Sequence, residues 1–236
     1  MQTKPCLYLF PSSLSDDAGK EWLCAKEFNL LDSIDIWFAE NERTARRFLR
    51  GLGYKKEFTE QNLFKLDKDS SPVELDDYVK RLQRCSNAAI LSEAGCPGIA
   101  DPGSELVKRA HRNQIEVIAL PGPSSILLAL MASGFSGQQF TFHGYLPIET
   151  PQRKAKLRQL EQDARSNGSS HIFIETPYRN EQMLQSIFDT CSHDTLLCIA
   201  ANLTGTTGFT QTKKISDWKN EVPILHKIPT VFIFGK

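Results

Sequence analysis

The sequence lacks most of the signatures that betray a nucleotide or hydrolase enzyme. No GxxxxGK[ST] loop is present, which excludes P-loop phosphate binding. No G-x-S-x-G elbow is present, which argues against an α/β-hydrolase. The first apolar run is followed by Pro11-Ser-Ser-Leu-Ser15, so the GxGxxG dinucleotide fingerprint is missing where it belongs. The six cysteines contain no C-x-x-C pair, and the five histidines are isolated with no HExxH. A disulfide scaffold and a structural zinc site are therefore not expected, and the cysteines read as reduced core thiols. The longest apolar stretch, Ile126 to Ala132, is far below the roughly 20 residues of a membrane span. The run from Cys6 is too short for a signal peptide, so a soluble cytoplasmic protein is expected. Lys plus Arg and Asp plus Glu both number 28, so no net charge favours a polyanion, although a local basic patch stays open.

What remains is ordinary globular composition over 236 residues, with 40% hydrophobic and 24% charged. Disordered, collagenous and coiled-coil classes are excluded, and a chain of this length buries roughly 70% of its unfolded surface without staples. Apolar runs at Cys6–Phe10, Ile34–Ala39, Ala88–Leu91, Ile115–Leu120, Gln139–Tyr145, His171–Glu175, Leu196–Ala201 and Pro229–Phe234 read as strands. Between them lie helical patterns at 19–31, 43–52, 71–84, 126–133, from Pro151 to Asn167, and 180–190. Ser71-Pro-Val-Glu74 is a capping box, and Asp101-Pro102 is expected to cap a helix. Residues 54–70 show no clear pattern, and the Thr-rich residues 202–213 suit a hairpin. Alternation of this kind is the α/β signature. Two α/β domains are expected, at 1–118 and 119–236.

Two turns stand out. Glu93-Ala-Gly-Cys-Pro-Gly-Ile-Ala-Asp-Pro-Gly103 follows one strand, and Pro121-Gly-Pro-Ser-Ser125 follows the next. Gly and Pro at this density make rigid backbone open to close approach. At the carboxyl ends of strands in an open sheet, such turns lie where ligands bind.

The stretch Ser92-Glu-Ala-Gly-Cys-Pro-Gly-Ile-Ala-Asp-Pro-Gly103, then Leu120-Pro-Gly-Pro123, then Gly144-Tyr-Leu-Pro147 resembles the tetrapyrrole (corrin/porphyrin) methylase superfamily. Within it the nearest likeness is to the branch that methylates a ribose 2′-hydroxyl of small-subunit ribosomal RNA. Ala39-Glu-Asn-Glu-Arg43 is similar to that branch's A-E-D-T-R, and Ile174-Glu-Thr-Pro-Tyr-Arg179 to its Y-E-S-x-x-R. The resemblance implies an S-adenosylmethionine-dependent methyltransferase, two α/β domains with the donor in a cleft between them, and a homodimer. Carried over position by position, it implies donor contacts at Pro11, Cys96, Pro97, Ile99, Ser124, Ser125, Thr176 and Ala201. A sulfonium donor carries no phosphate, which suits the missing GxGxxG.

Two segments depart from the branch pattern. Residues 11–17 replace P-T-P-I-G-N-L, and Ala201-Asn-Leu-Thr-Gly205 replaces R-E-L-T-K. These losses bear on ribosomal RNA specificity, and a tetrapyrrole or other small acceptor, or an inactive binding module, are the alternatives. The zero net charge makes any RNA contact local. A ribose hydroxyl is a poor nucleophile, so a general base is expected, with Glu40 first, and Arg43 of the same motif is expected to position phosphate or ribose. The alternatives for these two are a carboxylate favoured by a helix dipole and an exposed helix charge. Glu93 is expected to contact substrate or hold its loop. Arg43 to Lys56 and Arg153 to Arg158 are two basic groups, phosphate contacts or solvated helix faces. Phe64, Tyr145 and Tyr178 are candidates for base stacking or core packing.

Overall fold

The computed structural model describes residues 5–18, 22–23 and 25–236, with 25–27 described by their backbone. The chain folds into two compact units. The first comprises Met1–Ser13 with Gly19–Pro123, the second Leu14–Ala18 with Ser124–Lys236.

The first unit is a five-stranded sheet. Its strands are β1 (Cys6–Phe10), β2 (Ile36–Ala39), β3 (Leu63–Lys65), β4 (Asn87–Leu91) and β5 (Glu116–Ala119), in the order β3-β2-β4-β1-β5. Every pairing is parallel. Parallel strands covered on both faces take near-continuous apolar runs, as CLYLF, IWFA and the last four residues of NAAIL supply. Successive side chains feed opposite layers. Leu7, Phe38 and Ile90 join one cluster, and Phe10, Trp37 and Leu91 the other. Burying each such side chain contributes about 2 kcal/mol.

The connecting helices are α1 (Ala25–Leu30), α2 (Glu42–Leu52), α3 (Pro72–Leu82) and α4 (Ser104–Arg112). Asn41 caps α2 by accepting the amides of Arg43 and Thr44, and Gly53 closes it at φ 98°. The Ser71–Glu74 capping box is present on α3. Asp101 does not cap a helix as expected. The helix begins at Ser104, and Asp101 Oδ1 accepts the amides of Gly98 and Gly103 at 3.2 and 2.9 Å, bracing the loop across itself. The 54–70 stretch holds β3, only three residues long and paired to β2. Of the helix expected at 19–31, residues 19–21 and 24 lie outside the described residues, and the described helix starts at Ala25.

The second unit is a mixed sheet. Its strands are β6 (Phe140–Tyr145), β7 (Ser170–Ile174), β8 (Leu196–Ala201), β9 (Phe209–Lys214) and β10 (Thr230–Gly235), in the order β6-β7-β10-β8-β9. Only β6 and β7 pair in parallel. The helices are α5 (Ser125–Ser133), α6 (Thr150–Asn167), α7 (Asn180–Thr190) and α8 (Ile215–Asn220). Helix α6 stops at Gly168, φ 71°, as its Asn-Gly ending predicts. The 202–213 hairpin forms between β8 and β9. Helix α8 leaves no recognisable pattern in the sequence. It is held by buried Ile215 and by Trp218 Nε1 donating to Leu197 O at 2.9 Å.

Candidate functional site

All five strands of the first unit run the same way, so their carboxyl ends share one edge. Pro11 and Ser12 leave β1 at this edge, between the two Gly/Pro-rich turns. The Ser12 amide donates to Gly95 O at 2.9 Å in an isolated antiparallel bridge. On the other side, a Cβ on Gly122 would overlap the Pro11 ring, so only glycine lets that turn approach. The thiol of Cys96 spans the two turns, donating to Pro123 O at 3.5 Å. The loop after β4 is fixed by left-handed residues at Gly95 (φ 77°), Gly98 (φ 80°) and Ala100 (φ 55°), and by the Asp101 brace. Pro11, Cys96 and Pro97 thus come together, with Ile99 exposed at the loop tip. Ser12 is 3% exposed and its hydroxyl has no partner. In the sequence it is one serine among several in a polar turn, with nothing to single it out. A rigid backbone cradle with an unused buried hydroxyl fits a polar, phosphate-free ligand such as S-adenosylmethionine.

Further along the same edge, Glu40 follows β2. Partial burial raises its pKa, and the negative charges of Asp101, Glu93 and Asp67 raise it further. Glu93 is held in place by the Thr44 hydroxyl, which donates to Glu93 Oε1 at 2.6 Å. Glu40 and Glu93 are therefore neighbours in charge. Arg43 lies on the exposed first turn of α2. Much of the basic group beyond it is engaged internally. Arg46 pairs with Glu42, Arg50 donates to Tyr54 O and lies 4.8 Å from the Phe58 ring centroid, and Lys56 pairs with Asp35. Among the described residues no group of three or more His, Cys, Asp or Glu is placed to hold a metal ion.

In the second unit, β7 and β8 both run antiparallel to β10, so their carboxyl ends lie on one edge. Thr176 follows β7 and Ala201 ends β8, which puts both at that edge with β10 between them. Thr176 sits in a turn built by Glu175. This buried carboxylate accepts the Thr176 amide at 2.6 Å and the Arg179 guanidinium at 2.6 and 3.1 Å. Ser124 has local structural work, accepting the Leu127 amide as N-cap of α5, and Ser125 opens that helix.

The two segments that depart from the ribosomal RNA branch meet each other here. Asp17 Oδ2 accepts the amide and hydroxyl of Thr206 at 2.9 and 2.5 Å, which lowers its pKa to about 2. Ser15 Oγ lies 3.5 Å from Thr204 Oγ1.

The second basic group is corrected. Arg153 is 2% exposed and donates to Ser186 Oγ, Ile148 O and Thr150 Oγ1, which removes it from any phosphate. Lys154 pairs with Asp189 and Lys156 with Gln159. Phe64 packs against Phe38 and Tyr78, whereas Tyr178 is 70% exposed and so is no core residue. A further arrangement has no signature in the sequence. His143 Nε2 lies 2.9 Å from His171 Nδ1, whose other nitrogen lies 2.9 Å from Ser169 Oγ. Burial, Lys156 and the neighbouring imidazole push His143 down to about 4.

A parallel sheet with backbone-braced turns at its carboxyl edge, followed by a mixed sheet, defines a two-sheet α/β class of protein. The sequence profile of the Tetrapyrrole (Corrin/Porphyrin) Methylases matches residues 19–213, and the chain belongs to that family. Among curated relatives it is 31% identical over 194 residues to the Ribosomal RNA small subunit methyltransferase I of Haemophilus influenzae, covering 80% of this chain and 65% of that protein. It is 28% identical over 202 residues to the protein of the same name from Vibrio cholerae, covering 86% and 66%. The matched part of the chain thus spans less than two-thirds of the length of these relatives, 65% and 66%. The fold is that of the uroporphyrin-III-C-methyltransferase of Thermus thermophilus, with a TM-score of 0.57 at 16% identity, covering 100% of this chain and 93% of that one.

Proposed function

We propose that the protein is an S-adenosylmethionine-dependent methyltransferase that modifies RNA, with a ribose 2′-hydroxyl of small-subunit ribosomal RNA as acceptor. The observation that carries this reading is the convergence of Pro11–Ser12 with both Gly/Pro-rich turns at the edge that also bears Glu40. The names of the curated relatives support small-subunit ribosomal RNA as the substrate, and the ribose 2′-hydroxyl rests on the motif resemblance.

The donor, when bound, supplies an electrophilic methyl group on a sulfonium. Backbone groups of the 95–99 loop and of Gly122–Pro123, with Pro11, would hold it on the first unit; Ser124, Ser125, Thr176 and Ala201 are further proposed contacts, supported by the family resemblance. Glu40 takes the proton of the acceptor hydroxyl, and its raised pKa makes it a stronger base than a free carboxylate. Alignment of the two partners supplies much of the remaining rate. Arg43, exposed beside it, is suited to a backbone phosphate. Tyr178 offers a ring for stacking on a base. The reading includes a homodimer. Helix α5, SILLALMAS, is apolar all round yet leaves Met131 79% and Leu127 51% exposed, a face that a second copy would cover. It also includes a cytoplasmic location. No helix among the described residues is long and apolar enough to cross a membrane.

One observation favours a second reading, the same chemistry on another acceptor. Where the ribosomal RNA branch carries Arg, Glu and Lys, this chain carries a neutral loop latched to Asp17. Methylation mapping of ribosomal RNA from a deletion strain separates the two, since an unchanged map rejects the ribosomal acceptor.

Glu40→Gln is expected to lower turnover about 100-fold, with binding of S-adenosylhomocysteine retained in calorimetry. The base must be ionised, so activity falls as pH drops through the raised Glu40 pKa. Removing a neighbouring charge with Glu93→Gln moves that acid limb to lower pH. Full turnover in Glu40→Gln removes Glu40 from the chemistry.

A further inference from the structure

We propose that the Ser12 hydroxyl is a direct hydrogen-bonding contact for the methyl donor, held unpaired by the fold until the donor arrives. The proposal rests on the methyltransferase reading above and goes beyond the positions that the family resemblance supplies.

Buried polar atoms almost always find partners, because an orphan loses its water without compensation. Six buried side-chain polar atoms lack one among the described residues. Trp37 Nε1 and Tyr54 Oη lie within one aromatic cluster, their rings 5.8 Å apart. Arg109 Nε belongs to a side chain already paired with Asp76, and Thr190 Oγ1 closes α7. Asn180 Oδ1 belongs to an amide whose nitrogen donates to Ile228 O at 2.6 Å. Ser12 differs from all five. It alone lies at the carboxyl edge of the parallel sheet, where ligands bind.

Its surroundings are also the most constrained. The Ser12 amide is committed to Gly95 O, and the preceding Pro11 is seated against Gly122. The next loop is braced by Asp101 and by the Cys96 thiol. The Ser12, Gly98 and Gly103 amides and the Gly95 carbonyl are thus used within the protein, and other backbone groups of these turns stay open to a ligand. The Ser12 hydroxyl is the buried side-chain polar atom without a partner at the point where the turns meet. A hydroxyl both donates and accepts, so it serves either the amino-acid head or the ribose of the donor.

The orphan state yields a test that a structural serine would fail. Ser12→Ala removes an unpaired polar atom, so the ligand-free protein is expected to melt about 2–4 °C higher. The same variant is expected to bind S-adenosylhomocysteine roughly fivefold more weakly by calorimetry. Ser12→Cys, close in volume and a weak hydrogen-bonding group, is expected to lose most of the same affinity with the fold intact. 5′-Methylthioadenosine, which lacks the amino-acid head, locates the contact. Weakening with both probes assigns it to the nucleoside, and weakening with S-adenosylhomocysteine alone assigns it to the head. Unchanged affinity in Ser12→Ala overturns the proposal. So does a lower melting temperature with affinity retained, which would mean that an internal water serves the hydroxyl. Absence of S-adenosylhomocysteine binding by the unaltered chain instead removes the methyltransferase reading, and this contact with it.

Discussion

The two units solve the same problem, holding turns rigid at a sheet edge, with different materials. The first has only parallel strands, so its loops after β1, β4 and β5 emerge side by side and brace one another through backbone. Ser12 bonds Gly95, Pro11 seats Gly122, and left-handed glycines set the path. The second has a mixed sheet whose edge interleaves strand ends with strand beginnings. Its turns are fixed by side chains instead: Glu175 with Arg179, Arg153 with Ile148 and Thr150, Asp17 with Thr206. Backbone-made turns tolerate little change in residue size. Side-chain-made turns tolerate size but depend on partners.

That contrast is breakable. The largest effect is expected from Gly122→Val, which drives a branched side chain into the Pro11 ring. A loss of about 3 kcal/mol in denaturant unfolding, with donor binding abolished, is expected. A neutral outcome would mean that the first unit's turns are not held by close approach. Next comes Arg179→Ala, which strands the buried Glu175 carboxylate. It is expected to cost about 2 kcal/mol, because Arg179 keeps part of its hydration. Adding Glu175→Gln should recover part of the loss, and no recovery would show that size, not pairing, governs this turn. Smallest is Asp17→Ala, whose carboxylate is fully exposed. The melting temperature should hold while amide exchange at Thr206 quickens roughly threefold. Unchanged exchange would remove Asp17 from the latch.

How far the sequence alone reaches follows the same division. Continuous apolar runs fall on β1, β4 and β8, because strands buried on both faces leave a plain signal. The capping box places α3 and the Gly/Pro turns place the first unit's site, since both are local devices. Strand β3 and helix α8 are illegible. Three residues carry no period, and α8 exists because Ile215 and Trp218 find a core built by distant strands. Arg153 looks like part of a solvated basic run, yet its partners Ile148, Thr150 and Ser186 pull it inside. The His143–His171 contact needs the parallel pairing of β6 and β7, which no spacing encodes. Ser12 sits among serines that read as a solvated turn, and its burial depends on the backbone pairing with Gly95, which is distant in sequence.

The chain passes between its two compact units three times, at 13/14, 18/19 and 123/124, because Leu14–Ala18 belongs with the second. A recombination event with a single joint at 123/124 would therefore not exchange one whole unit for another. The donor of the front half would bring Ser15 and Asp17, and the donor of the rear half Thr204 and Thr206, with no guarantee that they match. These four positions form a hereditary pair of segments separated by almost the whole chain. A chimera of two relatives is sure to keep its latch when both segments come from the same parent.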